Sequence, residues 1–431
     1  MSIFPSECGH QSHQLHRRQM LQTTAGGLLF TTLAERLARA AESTSQRPKS
    51  LIVLWLQGGA SQLDTFDPHP GSKIAAVAAR KTSAKGIMLA EGLEQLADQM
   101  HRVVLVRSVM SREGDHERAT YNAKTGFRPD PTLQHPAIGA VVCHQLHDQL
   151  DIPRHISILP GQWGARGGYL GEQFDAFRIG DPAEPVPDVR KQVSNKRFNS
   201  RLVDLREVEK SFRRGRLQQL DADKTLQRLT TQAAVKMMSS KQLSAFDVNS
   251  ATVAERRQYG DTPFGRGCLA ARRLVGAGVR CVEVTLNGWD THTNNEESQR
   301  ALVDQLDPAF AGLLRDLEHH QILDDTIVLC MGEFGRTPWY AGLGGRDHWP
   351  HGFSVCIAGG GANGGQVIGE TSPDPSRDPE VARGQVVQPC SLADIHATVL
   401  HRLDIPYEEE LQTPIGRPMV ISKGTPVPGV F

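Results

Sequence analysis

Short, continuous runs of apolar residues recur along the chain, and each run is bounded by glycine or polar residues. Because the runs are continuous rather than alternating, they are typical of strands that are buried on both faces. They predict strands at residues 51–57, 103–109, 156–159, 279–286, 325–331 and 353–358.

Between these runs, apolar residues recur with the spacing of helices. The clearest helical patterns lie at residues 134–146, 262–278, 302–320 and 391–403. Strands that alternate with helices predict an α/β fold of three layers, in which helices cover both faces of an open, mostly parallel sheet.

A charged helical pattern interrupts this alternation from about residue 188 to residue 259. We interpret it as a helical excursion packed on the surface of the same domain, and its charges as a solvated helix face rather than a binding surface. The glycine-rich segment 358–370 lacks the lysine and the helix start of a phosphate-binding loop. We therefore interpret that segment as a flexible loop near the site.

The first forty residues differ from the rest of the chain. Residues 16–40 combine an arginine pair, a short apolar stretch and a small-residue end. This pattern favours a twin-arginine export signal at residues 1–41, followed by a single domain at 48–431, in an exported periplasmic or extracellular protein. An amphipathic N-terminal helix is the alternative. The apolar stretch is too short for a transmembrane helix, which needs about 20 apolar residues.

Composition narrows the classes of function. With 431 residues, of which 39% are hydrophobic, the chain can bury a sizeable core. Its 48 basic residues balance 48 acidic ones, so the sequence shows no electrostatic footprint for a nucleic-acid partner. The seven cysteines include no Cys-x-x-Cys pair and demand no disulfide framework.

Carboxylates and imidazoles follow several of the predicted strands directly. In an open α/β sheet, ligands bind beyond the carboxyl ends of the strands, so these side chains are expected at one edge. Each of them singly is explained by a turn cap or an ion pair, but together they favour a divalent metal site. Their mixture of oxygen and nitrogen suits zinc or manganese better than calcium. The predicted metal ligands are Asp64, Asp67, Asp290, His292, Glu333, Asp347, His348 and His351.

Arg336 follows the predicted strand at residues 325–331, only three residues after Glu333. Its planar guanidinium fork is suited to the oxygens of a phosphate or sulfate ester. Neutralisation of Glu333 is the alternative role. We therefore predict Arg336 as a catalytic residue that holds an anionic substrate.

The order of these motifs resembles that of the alkaline phosphatase and sulfatase superfamily, and within it the uncharacterised bacterial family called domain of unknown function 1501. The resemblance covers most of the chain from Leu51 to about Ile405. Its most specific elements are residues 58–68, 287–295, 332–338 and 346–352. The resemblance implies an alkaline-phosphatase-like fold.

The resemblance also implies roles for individual residues. Asp290 and His292 would bind one metal, Glu333 would stand where the superfamily has an aspartate, and His351 or His348 would supply a later histidine. In each of these positions the residue type suits metal binding.

The sequence departs from the superfamily in two places. Gln57 and Gly58 stand where an aspartate is expected after the first strand, so Asp64 or Asp67 would have to substitute for it. Phe334 occupies a place where a second ligand, histidine or asparagine, is common.

In the superfamily the nucleophile begins a helix ten residues before the glycine of a Thr-Gly pair, and in this chain that spacing selects His116. His116 has neither a hydroxyl nor a thiol, which leaves three roles: covalent nucleophile, metal ligand, or base for a metal-bound water. We favour ligand or base, because the positive end of the helix dipole should keep this imidazole neutral.

Two functions fit these features. The first is an exported metal-dependent hydrolase of phosphate or sulfate esters, acting on a small-molecule or polysaccharide ester. The second is a catalytically inactive, sulfatase-like protein that binds an anionic polysaccharide at the cell surface. Loss of the hydroxyl nucleophile favours the second, and retention of the metal-ligand residue types favours the first. The substrate and the oligomeric state stay open.

Overall fold

The apolar runs form the strands of one central sheet and a few short hairpins. A computed structural model describes residues 49–147, 150–213 and 226–431, so the predicted export signal at residues 1–41 lies outside the described residues. In chain order the strands are β1 Ser50–Gln57, β2 Ala79–Lys81, β3 Met88–Ala90, β4 Val103–Met110, β5 His155–Ile158, β6 Phe177–Ile179, β7 Cys281–Asn287, β8 Thr326–Met331, β9 Gly335–Arg336, β10 His348–Trp349, β11 Phe353–Gly359, β12 Gln366–Ile368, β13 Cys390–Ser391, β14 Glu410–Gln412 and β15 Pro418–Val420.

The helices lie between these strands, as the alternating pattern predicts. In chain order they are α1 Glu94–Ala97, α2 His116–Thr125, α3 Ile138–Gln145, α4 Asn195–Arg213, α5 Leu226–Met238, α6 Val253–Gln258, α7 Pro263–Gly276, α8 Asn295–His319, α9 Pro379–Gly384 and α10 Leu392–Arg402.

Among the described residues, the central sheet has nine strands and is mostly parallel. Eight of them follow one another in the order β12-β4-β11-β8-β1-β7-β5-β6, and β13 pairs with β4. Strand β11 runs antiparallel to both of its neighbours, β4 and β8. The other pairs in the sheet are parallel. The predicted mostly parallel α/β sheet is therefore confirmed.

Both faces of the sheet are buried. Along β1, Ile52 and Leu54 point into one apolar cluster, which includes residues of α7 and α8. Their neighbours Val53 and Trp55 point into a second cluster, which includes residues of α3 and α10. Because alternate residues of a strand face opposite sides, a run buried on both sides must be apolar throughout. This arrangement confirms the three layers.

The strand directions bring several loops to one edge of the sheet. Strands β1, β4, β5, β7 and β8 are mutually parallel, so all of them end at this edge. The antiparallel strand β11 instead begins there. The loops after β4, β7 and β8 and the loop before β11 are therefore neighbours in space, although they are far apart in sequence.

Helices α4, α5 and α6 fall within the predicted helical excursion at about 188–259, and residues 214–225 of that stretch lie outside the described residues. Lys236 of α5 pairs with Asp151 in the loop before β5, at 2.7 Å between Nζ and Oδ1. Contacts group Pro48–Phe431 into one compact unit. In the three described ranges, no helix combines the length and the apolar composition that crossing a membrane needs.

Candidate metal centre

The residues that flank helix α2 fix where it begins and where it ends. The side chain of Asp115 accepts a hydrogen bond from the backbone N–H of Arg118 at 3.1 Å, which caps the first turn. At the other end, Gly126 adopts a left-handed conformation and closes the helix. Strand β4 leads directly to this helix start, so His116 lies at the edge where the parallel strands end.

The two ring nitrogens of His116 face two carboxylates. Nδ1 donates to Oε1 of the fully buried Glu333 at 2.9 Å. Nε2 lies 3.2 Å from Oδ2 of Asp290, but it is buried and makes no hydrogen bond among the described residues. Burial lowers the pKa of His116, but the hydrogen bond and charge of Glu333, together with Asp290, outweigh it and raise the pKa. The two carboxylates thus oppose the neutral state that the helix dipole alone favours.

Asp290 lies at the centre of the cluster. Its Oδ1 accepts from Nη2 of Arg336 at 2.6 Å, and it lies 3.1 Å from Nε2 of His292 and 3.3 Å from Nε2 of His348. Burial raises the pKa of Asp290, but the hydrogen bond and charge of Arg336 and the charge of His116 outweigh it and lower the pKa to about 2. Asp290 is therefore an anion across the physiological pH range.

His292 and His348 meet through the same nitrogen of each ring. Their Nε2 atoms are 3.0 Å apart. Nδ1 of His348 donates to the carbonyl oxygen of Gly114 at 2.6 Å, and Nδ1 of His292 donates to Oδ1 of Asp347 at 3.2 Å. With a proton on each Nδ1, a neutral imidazole carries only a lone pair on Nε2. The two lone pairs therefore face each other and need a proton or a metal ion between them.

Two local features hold these segments together. Gly58, at the end of β1, has φ of +113°, and a Cβ atom there would lie 2.4 Å from the backbone nitrogen of Asp290. The turn therefore requires glycine to approach Asp290 so closely. Strands β9 and β10 form a two-stranded antiparallel ladder that pairs His348 with Arg336.

Aromatic rings cover His116 and His348. The ring of Phe334 stacks on His348, with centroids 4.5 Å apart, and it contacts His116 at a tilt, with centroids 5.0 Å apart. The indole of Trp163, in the loop after β5, lies nearly parallel to the His116 ring, with centroids 6.2 Å apart. Phe334 stands at the position where the superfamily resemblance implies a second ligand, and in this structure it packs against the imidazoles.

Arg336 is fully buried, and its donors point at protein atoms. Its Nε donates to the carbonyl of Gly59 at 3.0 Å, Nη1 donates to the carbonyl of Arg346 at 3.0 Å, and Nη2 donates to Asp290 and to the carbonyl of Gly58. Burial lowers the pKa of Arg336, and Asp290 opposes this shift. The guanidinium thus fixes Asp290 and the turn after β1.

Asp64, a predicted ligand, lies in a different hydrogen-bond network. Its Oδ2 accepts from the hydroxyl of Ser61 and from Nδ2 of Asn295 at 3.0 Å, and Nε of Arg346 lies 3.7 Å away. Asp64 is buried, and this network ties the loop after β1 to the start of α8.

Asp67, also a predicted ligand, forms a second separate network. It accepts from Oγ1 of Thr371 at 2.6 Å, and it pairs with Nη1 of Arg107 at 3.3 Å and with Nε2 of His69 at 3.2 Å. Burial raises the pKa of Asp67, but His69, Arg107 and Thr371 outweigh it and lower the pKa.

His351 also lies apart from the cluster. Its ring contacts Trp349 edge-on, with centroids 4.8 Å apart, and its electrostatic neighbours are Arg383 and Glu380. Burial lowers the pKa of His351 to about 4. Of the two later histidines that the sequence offers as ligands, the structure therefore brings His348 to Asp290.

The donor set fits a transition metal. One ligand atom each from His116, Asp290 and His348 lie within 4.8 Å of one another, and His292 Nε2 adjoins two of these residues. Nε2 of His116 is buried without a hydrogen bond among the described residues, and it supplies a lone pair once a metal displaces its proton. In all three imidazoles the other nitrogen is held by a carboxylate or a carbonyl, which is the outer arrangement of metal-binding histidines. A site of three nitrogens and one carboxylate suits zinc or manganese.

Sequence reasoning missed two contributors. The carbonyl of Gly114 orients His348, and a backbone atom leaves no signal in residue types. Trp163 covers His116 from the loop after β5. The residues beside Trp163 in the sequence are not metal-ligand types, so they do not indicate a site. The position of Trp163 follows only from the strand order, which places β5 two strands away from β1.

Comparison with solved structures finds similar folds at low identity. The chain is similar to a sulfatase from Pseudoalteromonas sp., with 13% identity over 85% of this chain and 70% of that chain and a TM-score of 0.42. It is similar to the phosphonate monoester hydrolase of Agrobacterium radiobacter, with 12% identity over 89% of this chain and 77% of that chain and a TM-score of 0.39. It is also similar to a mutant of TAB5 alkaline phosphatase with bound Mg, with 11% identity over 83% of this chain and 99% of that chain and a TM-score of 0.37.

At these TM-scores the likenesses carry no conclusion about the site or its activity. No curated protein matches the chain. The family model described as protein of unknown function, DUF1501, matches residues 48–431. This match spans more than half of the chain and includes every residue of the cluster. The chain therefore belongs to the DUF1501 family.

Proposed function

We propose that this protein is an exported, metal-dependent hydrolase of phosphate or sulfate esters. The observation that carries the proposal is the convergence of three imidazole Nε2 atoms on Asp290, with Nδ1 of each imidazole held from behind. Without a cation, two of these nitrogens face each other with lone pairs at 3.0 Å. A divalent metal removes that repulsion and uses all four donors.

The four donors come from three parts of the chain, namely the start of α2, the loop after β7 and strand β10. His116, Asp290, His292 and His348 would hold the metal. When bound, such a metal supplies Lewis-acid polarisation of an ester oxygen and a water of lowered pKa. Glu333 fixes the ring of His116 through Nδ1, so that Nε2 faces Asp290. No hydroxyl or thiol occupies the position of His116, so water is the nucleophile in this proposal.

Arg336 supports the centre from inside. Because its guanidinium is buried and donates to Asp290 and three backbone carbonyls, its role in the proposal is to hold Asp290 as an anion. The pKa of Asp290 is lowered to about 2, so this ligand is charged across the physiological pH range. A substrate oxygen would have to displace one of these bonds to reach Arg336.

The same commitment of Arg336 favours the second candidate, a binding protein without hydrolytic activity. A hydrolase of anionic esters gains from a cation that contacts the transferred group. The sequence predicts Arg336 for this contact. In the structure, its guanidinium faces protein carbonyls instead. In the binding alternative, the metal centre holds the acidic groups of a polysaccharide at the cell surface.

Export completes the proposal. The arginine pair and the small-residue end in residues 16–40 precede the first strand, β1, and the domain begins near residue 48. Transport of an already folded protein suits a chain that takes up its metal inside the cell.

Hydrolysis assays with purified protein separate the two candidates. We expect cleavage of 4-nitrophenyl phosphate or 4-nitrophenyl sulfate that requires zinc or manganese and stops with a chelator. His116→Ala should lower kcat/KM at least about 100-fold, because it removes a donor and the partner of Glu333. His101→Ala is the matched control, since His101 precedes β4 at the opposite edge of the sheet. Metal binding and dextran sulfate binding without cleavage of either ester would support the binding protein instead.

A further inference from the structure

A second recess lies beside helix α2, next to the metal cluster. It has a volume of about 270 Å³, and its walls include Thr120, Lys124, His135, Gln162, Trp163 and Arg166. Thr120 follows His116 by four residues and Lys124 follows by eight, so all three lie on one face of the helix. Trp163 lines the recess and also lies nearly parallel to the ring of His116. The recess and the cluster therefore share a wall.

Two buried polar atoms in this wall lack partners among the described residues. They are Oγ1 of Thr120, a residue 1% exposed, and Nδ1 of His135, a residue 5% exposed. A buried polar atom that makes no hydrogen bond is costly, so such atoms in a recess indicate a bound water or a ligand group. Both groups form hydrogen bonds without carrying a charge: a hydroxyl both donates and accepts, and a neutral imidazole donates at one nitrogen and accepts at the other.

The interior of the recess carries no unbalanced charge. Nζ of Lys124 donates to Oε1 of Glu283 at 2.9 Å and to the carbonyl of Trp163 at 3.0 Å, so its charge is matched within the core. Burial lowers the pKa of His135 to about 4, which leaves its ring neutral. The charged residues of opposite sign, Glu117 and Arg166, are exposed at the rim.

Trp163 gives the recess an aromatic wall, and its backbone is held in place. Its backbone carbonyl is anchored by Lys124, which is itself held by Glu283 of β7. An indole face beside hydroxyl, amide and imidazole groups suits a ring with apolar faces and polar edges. Pockets for drug-sized ligands measure roughly 300–1,000 Å³, so this smaller recess suits a single ring.

We propose that this recess binds one neutral, hydroxyl-rich ring, such as a sugar unit, with Thr120 and His135 bonding its hydroxyls and Trp163 covering one face. The role of the ring as part of an ester substrate rests on the proposed hydrolase function. The binding itself does not, because it requires neither an ester nor a metal.

Saturation-transfer NMR on the full protein tests the proposal with simple probes. The neutral probes are the methyl glycosides of glucose, galactose and mannose, and the size-matched charged probes are cyclohexanecarboxylate and cyclohexylammonium. We expect at least one glycoside to bind better than either charged probe. Thr120→Val should weaken that binding about three- to tenfold, the value of one hydrogen bond. Thr425→Val, at an exposed threonine that does not line the recess, should not weaken it.

A thermal melt shows that the variant reports on binding rather than on folding. Since Oγ1 of Thr120 has no partner, Thr120→Val should keep or raise the melting temperature. Failure of every glycoside to bind, stronger binding of a charged probe, or glycoside binding that Thr120→Val leaves unchanged would each overturn the proposal. An absence of ester hydrolysis alongside glycoside binding would refute only the hydrolase function.

Discussion

His292 and His348 face each other through their Nε2 atoms at 3.0 Å, while Nδ1 of each ring is tied to a different acceptor. This relationship is unfavourable for two neutral rings in isolation, because it opposes two lone pairs. It becomes favourable when a cation lies between them. The same cation would meet Asp290 and Nε2 of His116, which is why the pair identifies the centre of the site.

Glu333 and Asp347 each orient a histidine of the cluster, but they differ in burial. Glu333 is fully buried behind His116, whereas the side chain of Asp347 is 60% exposed beside His292. We expect Glu333→Gln to weaken metal affinity about 10- to 100-fold, because it leaves His116 without its anionic acceptor. Asp347→Asn should weaken it by about fivefold or less, since exposed pairs contribute little. Chelator competition measures both, and equal effects would contradict these positioning roles.

Asp67 is expected to stabilise the fold without taking part in metal binding. Removing its charge by Asp67→Asn leaves the partly exposed Arg107 and His69 without their buried anion, which should lower the free energy of unfolding by about 2 kcal/mol. Asp304→Asn is the control, because that aspartate pairs with Arg300 on the surface. Denaturant unfolding and metal content are the measurements. Loss of metal in a folded Asp67→Asn variant would return Asp67 to the ligand set.

His396 makes stability depend on pH. Burial lowers its pKa from 6.5 to about 4 in the folded protein, and a hydrogen bond to the carbonyl of Ala123 opposes this shift. Between these values the unfolded chain binds a proton that the folded chain does not. Stability is therefore complete above pH 6.5 and falls as the pH drops to about 4, by about 3 kcal/mol from this residue.

Unfolding of the His396→Gln variant across this range checks the assignment. The free energy of unfolding of the variant should depend on pH less steeply, by the contribution of about one proton. Part of the pH dependence of stability should persist in the variant, because burial also lowers the pKa values of His135 and His351 to about 4. If the pH dependence of the unfolding free energy is unchanged in His396→Gln, the role assigned to His396 is wrong.

The export proposal makes a prediction about the precursor. Replacing Arg17 and Arg18 by lysine should leave the uncleaved chain in the cytoplasm, because the twin-arginine route reads the pair itself rather than its charge. Arg36→Lys, downstream in the same segment, should be exported and cleaved like the wild type. Cell fractionation and N-terminal sequencing give the answer, and normal cleavage of the double variant would exclude this route.

Residue patterns predicted the fold well where apolar residues form a continuous run or recur with the spacing of a helix. The run at residues 51–57 became β1 Ser50–Gln57, and the pattern at 262–278 became α7 Pro263–Gly276. Helix α8 begins at Asn295, seven residues before the predicted start, because its first turns bury polar residues. Asn295 and Gln299 are 0% exposed and hydrogen-bond to the neighbouring loops. An apolar pattern gives no signal for such a turn.

The site was predictable where residues follow a strand at short range. Asp290 and His292 come directly after β7, so strand order alone brings them to the correct edge. Asp67 also follows a strand, but its partners Arg107 and Thr371 come from distant segments, and no spacing within its own loop reveals them. The choice between His348 and His351 depended on the ladder between β9 and β10, which sets the register of that loop.

Metal content after dialysis, measured by plasma mass spectrometry on the wild type and on two histidine variants, tests the metal centre most directly. The account predicts that the wild type retains zinc or manganese and that His348→Ala loses it, because His348 supplies a nitrogen beside Asp290. His351→Ala should retain the metal, since that ring packs on Trp349. A wild-type protein that holds no divalent metal, or a His348→Ala variant that holds as much as the wild type, would contradict the account.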